Sequence, residues 1–192
     1  MAVETVVFDV GETLVDESTM WTRAAAAVGV PPFTLMGVLG GLIVEGRPHD
    51  DVWGALGVER PDVTWNEADW YTDALPCIER LRGAGYRVCA VGNTPQSSEE
   101  QVATRLEVLG SSERWGVSKP AAAFFARILE AAGRLPEKIA YVGDRVDNDV
   151  VPALAAGMVG VHIRRGPWGY LHEPPPEAVR ICSLDELPAA LP

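Results

Sequence analysis

The chain has 192 residues, with 27 Asp plus Glu against 16 Lys plus Arg and a formal net charge of −11. That length suits one core with at most a small insert. So acidic a surface repels nucleic acid and anionic membranes, whose own charge is dense and negative. Three scattered cysteines (Cys77, Cys89 and Cys182) form no CxxC; they point to a reducing, cytoplasmic setting and to no thiolate metal site. The opening MAVETVVFDV has no basic stretch followed by a long apolar one, so no signal peptide is expected.

The first predicted element is a strand over 5–8, a β-branched and aromatic run suited to burial on both faces. Residues 16–72 follow with no comparable strand, and read as a helical insert with its own small core around Trp53, Trp65 and Trp70. Within it, residues 24–44 carry no charge over 21 positions, which is bilayer-spanning length. Pro31 and Pro32 break that run, so the reading is two short buried helices rather than a span. The excess of apolar side chains there (Phe33, Leu35, Met36, Leu39, Leu42, Ile43) leaves room for a homodimer through the insert.

After Leu75 the rhythm changes. A helix ending near 81, a strand over 86–91 and a helix over 97–106 are followed by a helix over 120–132, with Pro120 in its first turn. A strand over 138–142, a helix over 148–156 capped by Asp147, and a strand over 159–163 complete the pattern. In the tail, Ile181 and residues 184–187 suggest a short strand and a last helical turn. His162 alternates with apolar neighbours and reads as structural, and Arg164 to Trp168 as a solvated basic turn. Strands alternating with helices specify right-handed βαβ units and a parallel sheet. The fold class is α/β: a Rossmann-like three-layer core from 1–15 and 73–192, with a helical cap over 16–72.

Ligands of an open parallel sheet bind beyond the carboxyl ends of its strands. There the sequence places Asp9 after the first strand, Asn93 and Thr94 after the second, and Asp144, Asp147 and Asp149 after the third, while Lys119 precedes Pro120. Converging carboxylates repel unless a cation or proton neutralises them. Mg²⁺, a hard cation that prefers oxygen ligands, is the simplest partner. With a lysine nearby, such a set suits phosphoryl transfer, where positioning and charge stabilisation supply most of the catalysis.

Asp9-x-x-x-Thr13-Leu14, Asn93, Lys119-Pro120 and Gly143-Asp144 followed by Asp149 stand in the order that resembles the haloacid dehalogenase-like hydrolase superfamily. GVSKPAAAFF and IAYVGDRVDNDV are the most specific stretches. The resemblance implies a Mg²⁺-dependent phosphatase of small phosphorylated metabolites, with Asp9 as the nucleophile that forms an aspartyl-phosphate. It implies Mg²⁺ on the Asp9 carboxylate, the Gly11 carbonyl and Asp144, with Asp149 ordering that shell. It places Lys119 between nucleophile and phosphate, Thr13 in the first motif, and Asn93 and Thr94 against the phosphoryl oxygens.

Two positions depart from the family pattern. The family has a second Asp two residues after the first, which protonates the leaving group and later activates water; here that residue is Gly11. A positioned acid or base contributes about 10²–10⁴-fold, so turnover is expected to be slow, and activated phosphates to suffer least. Glu12 and Asp16, on the same loop, are the candidate replacements. The hydroxyl residue expected at the end of the second strand is Gly92, unless Thr94 stands in for it. Three other readings compete: a weakly catalytic or non-catalytic binding module on the same fold, a metal-independent 2-haloacid dehalogenase in which Asp9 attacks carbon, and a receiver domain. The cap and the position of Lys119 count against the last.

Overall fold

The computed structural model describes residues 2–192. Its centre is a six-stranded sheet ordered β3-β2-β1-β4-β5-β6, every neighbouring pair parallel. The strands are β1 (Thr5–Phe8), β2 (Arg87–Gly92), β3 (Glu107–Ser111), β4 (Ile139–Gly143), β5 (Val159–Ile163) and β6 (Val179–Ile181). Between them run α1 (Ser18–Ala27), α2 (Pro32–Val44), α3 (Asp51–Leu56), α4 (Ala74–Gly83), α5 (Gln96–Ala103), α6 (Ser112–Trp115), α7 (Ala122–Ala132), α8 (Val151–Ala155) and α9 (Gly166–Leu171), and α10 (Leu187–Ala190) ends the fold.

The period-two alternation of buried strands divides the core. Val6 and Phe8 of β1 join Val88, Ala90, Ala140 and Val142 against Cys77, Ile78 and Leu81 of α4. Val7, Cys89, Val91 and Tyr141 point the other way, onto Phe124, Phe125 and Ile128 of α7 and Ala153 of α8. Both faces are covered, which is why these strands are apolar at nearly every position. A third cluster unites Trp21, Leu35, Leu39, Leu42, Ile43, Val52 and Trp53 of the first three helices with Trp168 of α9.

Several expectations are corrected. The helix expected over 97–106 stops at Ala103, and β3 follows at Glu107–Ser111, a strand the sequence reading lacked. Pro120 lies outside the helix, in a 118–121 turn closed by the Ala121 amide on the Ser118 carbonyl, and α7 opens at Ala122. Asp147 caps no helix. The chain enters through a π-helical turn, Val146–Val150, and the Asp147 carboxylate lies 2.7 Å from the Arg145 guanidinium. The last helical turn is Leu187–Ala190 rather than 184–187. Trp65 and Trp70 pack on the main core, not on the insert's own. Of the apolar run in the insert, Leu35, Leu39, Leu42 and Ile43 are consumed inside the third cluster, while Phe33 stays 91% exposed. Among the described residues no single helix is long and apolar enough to cross a membrane; α1 and α2 diverge by 112°.

The basic turn after β5 is a clamp rather than a solvated loop. Arg165 donates to the Thr13 carbonyl at 2.9 Å, pairs with Asp73 and lies 4.1 Å over the Tyr71 ring. Asp73 also accepts from the Ser183 hydroxyl and the Leu184 amide. The loop after β1, the start of α4 and the tail thus meet at one ion pair. Hydrogen bonds to charged groups contribute about 1.5–3 kcal/mol, so Arg165→Met is expected to lose stability in that range in urea unfolding, with the remainder of the fold intact by circular dichroism.

Candidate active site

In this strand order the winding reverses between β1 and β4, and a crevice opens there beyond their carboxyl ends. Asp9 leaves β1 with its amide bonded to the Val142 carbonyl of β4 at 2.8 Å, which holds it beside the end of β4 and Asp144. Lys119 arrives from the far side of the chain and places Nζ 2.6 Å from Asp9 Oδ1 and 2.6 Å from Asp149 Oδ1. All four side chains are buried. Asp9, Lys119 and Asp144, the positions most important to the sequence reading, therefore meet at one mouth of the sheet. They line a small pocket of about 150 Å³ together with Gly11, Glu12, Glu17, Asn93, Thr94 and Asn148.

Each member is held by a specific local device. The Asn93 amide clasps the Lys119 backbone from both sides, accepting from its N–H at 2.8 Å and donating to its carbonyl at 3.0 Å. Its side chain thereby places the lysine, while the residue also lines the pocket. Asp149 receives Lys119 and the Tyr141 hydroxyl on Oδ1 and the Arg145 amide on Oδ2. That close fold-back needs a glycine at 143: a Cβ there would lie 2.5 Å from Asp149 Cγ. His162, structural as expected, places Nε2 3.0 Å from the Asp144 carbonyl oxygen. Thr94 turns its side chain toward Gly92, with Oγ1 3.4 Å from where a Cβ at 92 would stand. Thr13 is fully buried behind the loop and is not among the lining residues; its hydroxyl finds no hydrogen-bond partner.

The electrostatics follow from packing one cation among carboxylates. Burial by itself would lower the Lys119 ammonium, but Asp149 and Asp9 overcome it and hold the group well above its ordinary value. Burial raises Asp149 to about 6, with Lys119 pulling the other way. Burial, then the charges of Asp149 and Asp9, hold Asp144 well above the usual carboxylate range. Oxygens of Asp9, Asp144 and Asp149 lie within 4.8 Å of one another, and Asp144 Oδ2 is buried with no hydrogen-bond partner. An unpartnered carboxylate oxygen in an all-oxygen donor set is what a hard divalent cation fits.

The sequence reading missed Glu17. It precedes α1, lines the small pocket, and also lines a larger cleft of about 580 Å³ walled by Trp21, Trp53, Trp65 and His49. Trp21 and Trp53 stack there with ring centroids 5.9 Å apart. Burial, then the neighbouring charge of Glu12, push the Glu17 carboxyl up to about 7, partly offset by the Trp21 indole N–H, 3.3 Å from Oε2. The local signal was an acidic residue directly before a helix, six positions beyond a glycine that stands where an acid was expected.

An open doubly wound sheet thus brings carboxylates and a buried lysine together at its switch point. The model of the haloacid dehalogenase-like hydrolase family matches residues 3–157, and the chain belongs to that family. It is 36% identical over 104 residues to the glyceraldehyde 3-phosphate phosphatase of Methanopyrus kandleri, covering 51% of this chain and 45% of that protein. To the enzyme of the same name from Methanocaldococcus jannaschii it is 39% identical over 77 residues, covering 40% and 34%. The chain thus spans less than half the length of these relatives. Among solved structures, a dehalogenase with an intermediate complex superposes with a TM-score of 0.74 at 19% identity, covering 99% of this chain and 97% of that one; that likeness shows the fold.

Proposed function

We propose that the chain is a Mg²⁺-dependent phosphatase of small phosphorylated metabolites, acting through an aspartyl-phosphate on Asp9. The observation that carries this reading is the meeting of Asp9, Lys119 and an unpartnered Asp144 oxygen in one pocket. The Asp9 carboxylate attacks phosphorus, and the bond to the leaving oxygen breaks. Lys119 holds Asp9 in line and neutralises the incoming phosphoryl group as a point charge. Asp149 and Asn93 fix that lysine, and Thr94 offers a hydroxyl donor to the phosphoryl oxygens in place of one at position 92. Asp9, the Gly11 carbonyl and Asp144 are the groups that would hold Mg²⁺, with Asp149 ordering them; the bound ion would supply positive charge against the phosphoryl oxygens.

The larger cleft continues from this pocket and receives the leaving group. Its stacked tryptophans favour a leaving group with a flat apolar part, and its volume exceeds that of a triose, so glyceraldehyde 3-phosphate belongs in the substrate panel as one member among larger esters. The test is phosphate release across that panel with Mg²⁺ and after chelation, with mass analysis of acid-quenched protein for a phosphoryl group on the peptide containing Asp9. Metal-dependent release with a labelled Asp9 is the expected result. Halide release from 2-haloacids without metal would make the protein a dehalogenase, in which Asp9 attacks carbon. Silence toward every activated phosphate by a folded protein would make it a binding module.

A further inference from the structure

Gly11 leaves the site without a carboxyl where one is needed to protonate the leaving oxygen, and the space it vacates is filled. An ideal Cβ on Gly11 would stand 2.6 Å from Glu17 Oε1 and 3.1 Å from Glu17 Cδ. An aspartate's own carboxylate oxygens lie about 2.4 Å from its Cβ, the span of two bonds of carboxyl dimensions. The Glu17 oxygen, at 2.6 Å, therefore sits close to the distance from that point that an aspartate oxygen would have. A side chain at position 11 would displace the Glu17 carboxylate from this place.

We propose that Glu17 is the acid and base of this site, supplying from the entry of α1 the carboxyl that position 11 lacks. Its position is held by two hydrogen bonds. The Glu17 amide donates to Glu12 Oε1 at 3.0 Å, the Trp21 indole N–H faces Oε2, and Oε1 overhangs Gly11. Glu17 also belongs to both cavities, the one that holds Asp9 and Lys119 and the one that receives the leaving group. It thus stands where the scissile oxygen must cross from one to the other.

The two nearer candidates are engaged elsewhere. Glu12 accepts the Glu17 amide on Oε1 and the Tyr71 hydroxyl on Oε2 at 2.6 Å, so both of its oxygens serve the loop. Asp16 accepts the Ser18 amide at 2.8 Å and lines neither cavity.

In the first step Asp9 forms its bond to phosphorus. The phosphorus–oxygen bond to the leaving group breaks with its electron pair on that oxygen, which takes the proton of the Glu17 carboxyl and departs as an alcohol. In the second step the Glu17 carboxylate takes a proton from water, whose oxygen bonds to phosphorus. The bond from phosphorus to Asp9 breaks, its pair returns to the carboxylate, and inorganic phosphate leaves with Glu17 protonated again. The sum is ester plus water to alcohol plus phosphate.

The proposal rests on the phosphatase reading, and the experiment separates the two. kcat/KM, which reports the step that expels the leaving group, is measured for alkyl, aryl and acyl phosphates with wild type, Glu17→Gln, Asp9→Asn, and Gly11→Asp combined with Glu17→Ala, with thermal melts of each to check folding. Glu17→Gln is expected to lose about 10²-fold or more on alkyl esters and less than a tenth of that factor on acyl phosphates, steepening the dependence on leaving-group pKa. The Gly11→Asp, Glu17→Ala protein is expected to recover alkyl hydrolysis. Asp9→Asn is expected to be inert on all three classes. A uniform loss across leaving groups in a folded Glu17→Gln protein, or no loss, overturns the role of Glu17 and leaves the phosphatase reading standing. A folded wild type inert on all three classes overturns both.

Discussion

Lys119→Met is expected to be the most damaging single substitution in the chain for stability and activity together. Among the described residues the lysine is the one cation bonded to Asp9 and Asp149, and all three side chains are buried. Removing one partner of such a set strands charge in a low dielectric and costs about 3–5 kcal/mol. The exposed pair Arg127 with Glu130 on α7 has similar geometry, 3.0 Å apart, yet both groups stay hydrated and its loss should cost at most about 1 kcal/mol. Urea unfolding of Lys119→Met and Arg127→Ala side by side measures that contrast. Adding Asp149→Asn to Lys119→Met should restore part of the loss, because the stranded charge leaves with its partner, whereas two independent sites would add. Activity should fall about 10²–10³-fold, the scale for removing one preorganised group that stabilises transition-state charge, and the second substitution should not restore it. Equal stability of the two single variants would mean that the buried set is not held together by Lys119.

What the sequence disclosed follows from the physics of each element. β1, β4 and β5 are buried on both faces, so their residues form continuous apolar runs that no helix face would require. β3 escaped because it is an edge strand that opens on an exposed glutamate and carries a glycine, and neither announces a strand. Asp9 and Asp144 were legible because a parallel sheet delivers strand ends to one edge whatever the helices do, and Lys119, eight residues beyond the end of β3, was legible by its place before Pro120 in the ordered motifs of the resemblance. Glu17 was not legible, because its place depends on how the loop closes. Glu12, in the left-handed region at φ 49°, and the bond from its amide to the Val15 carbonyl turn the chain back, so that residue 17 returns over residue 11. Counting along the chain favoured Glu12 and Asp16, which are nearer in sequence and bonded elsewhere in space. The bonds that Asn93 makes to the Lys119 backbone were not legible either, because they come from a segment 26 residues away.

Asp144→Asn should move stability in two opposite directions, depending on the ion present. In chelated protein the wild-type carboxylate is buried beside Asp149 and Asp9, with Oδ2 lacking any partner. A buried acceptor left unsatisfied costs about 1–3 kcal/mol, more when charged. Asparagine keeps the volume and places N–H donors in that ring of acceptors without the proton that the raised Asp144 carboxyl must take up to donate there. The variant should therefore melt higher than wild type in EDTA, by about 2–4 °C for each kcal/mol in a domain of this size. Mg²⁺ reverses the order: a ligand at a hundred times its Kd stabilises the folded state by about 2.7 kcal/mol, and only the protein with the Asp144 carboxylate should show that gain in full. The two melting temperatures should converge or cross as Mg²⁺ is titrated, while phosphate release by the variant stays near background. A variant less stable than wild type in EDTA would mean that Asp144 is a structural acceptor already satisfied by the fold. An unchanged Mg²⁺ response would place the cation elsewhere. The expected crossing has a direct physical basis: burial and the charges of Asp149 and Asp9 disfavour an ionised Asp144 in the empty site, and a divalent cation relieves that cost on entering it.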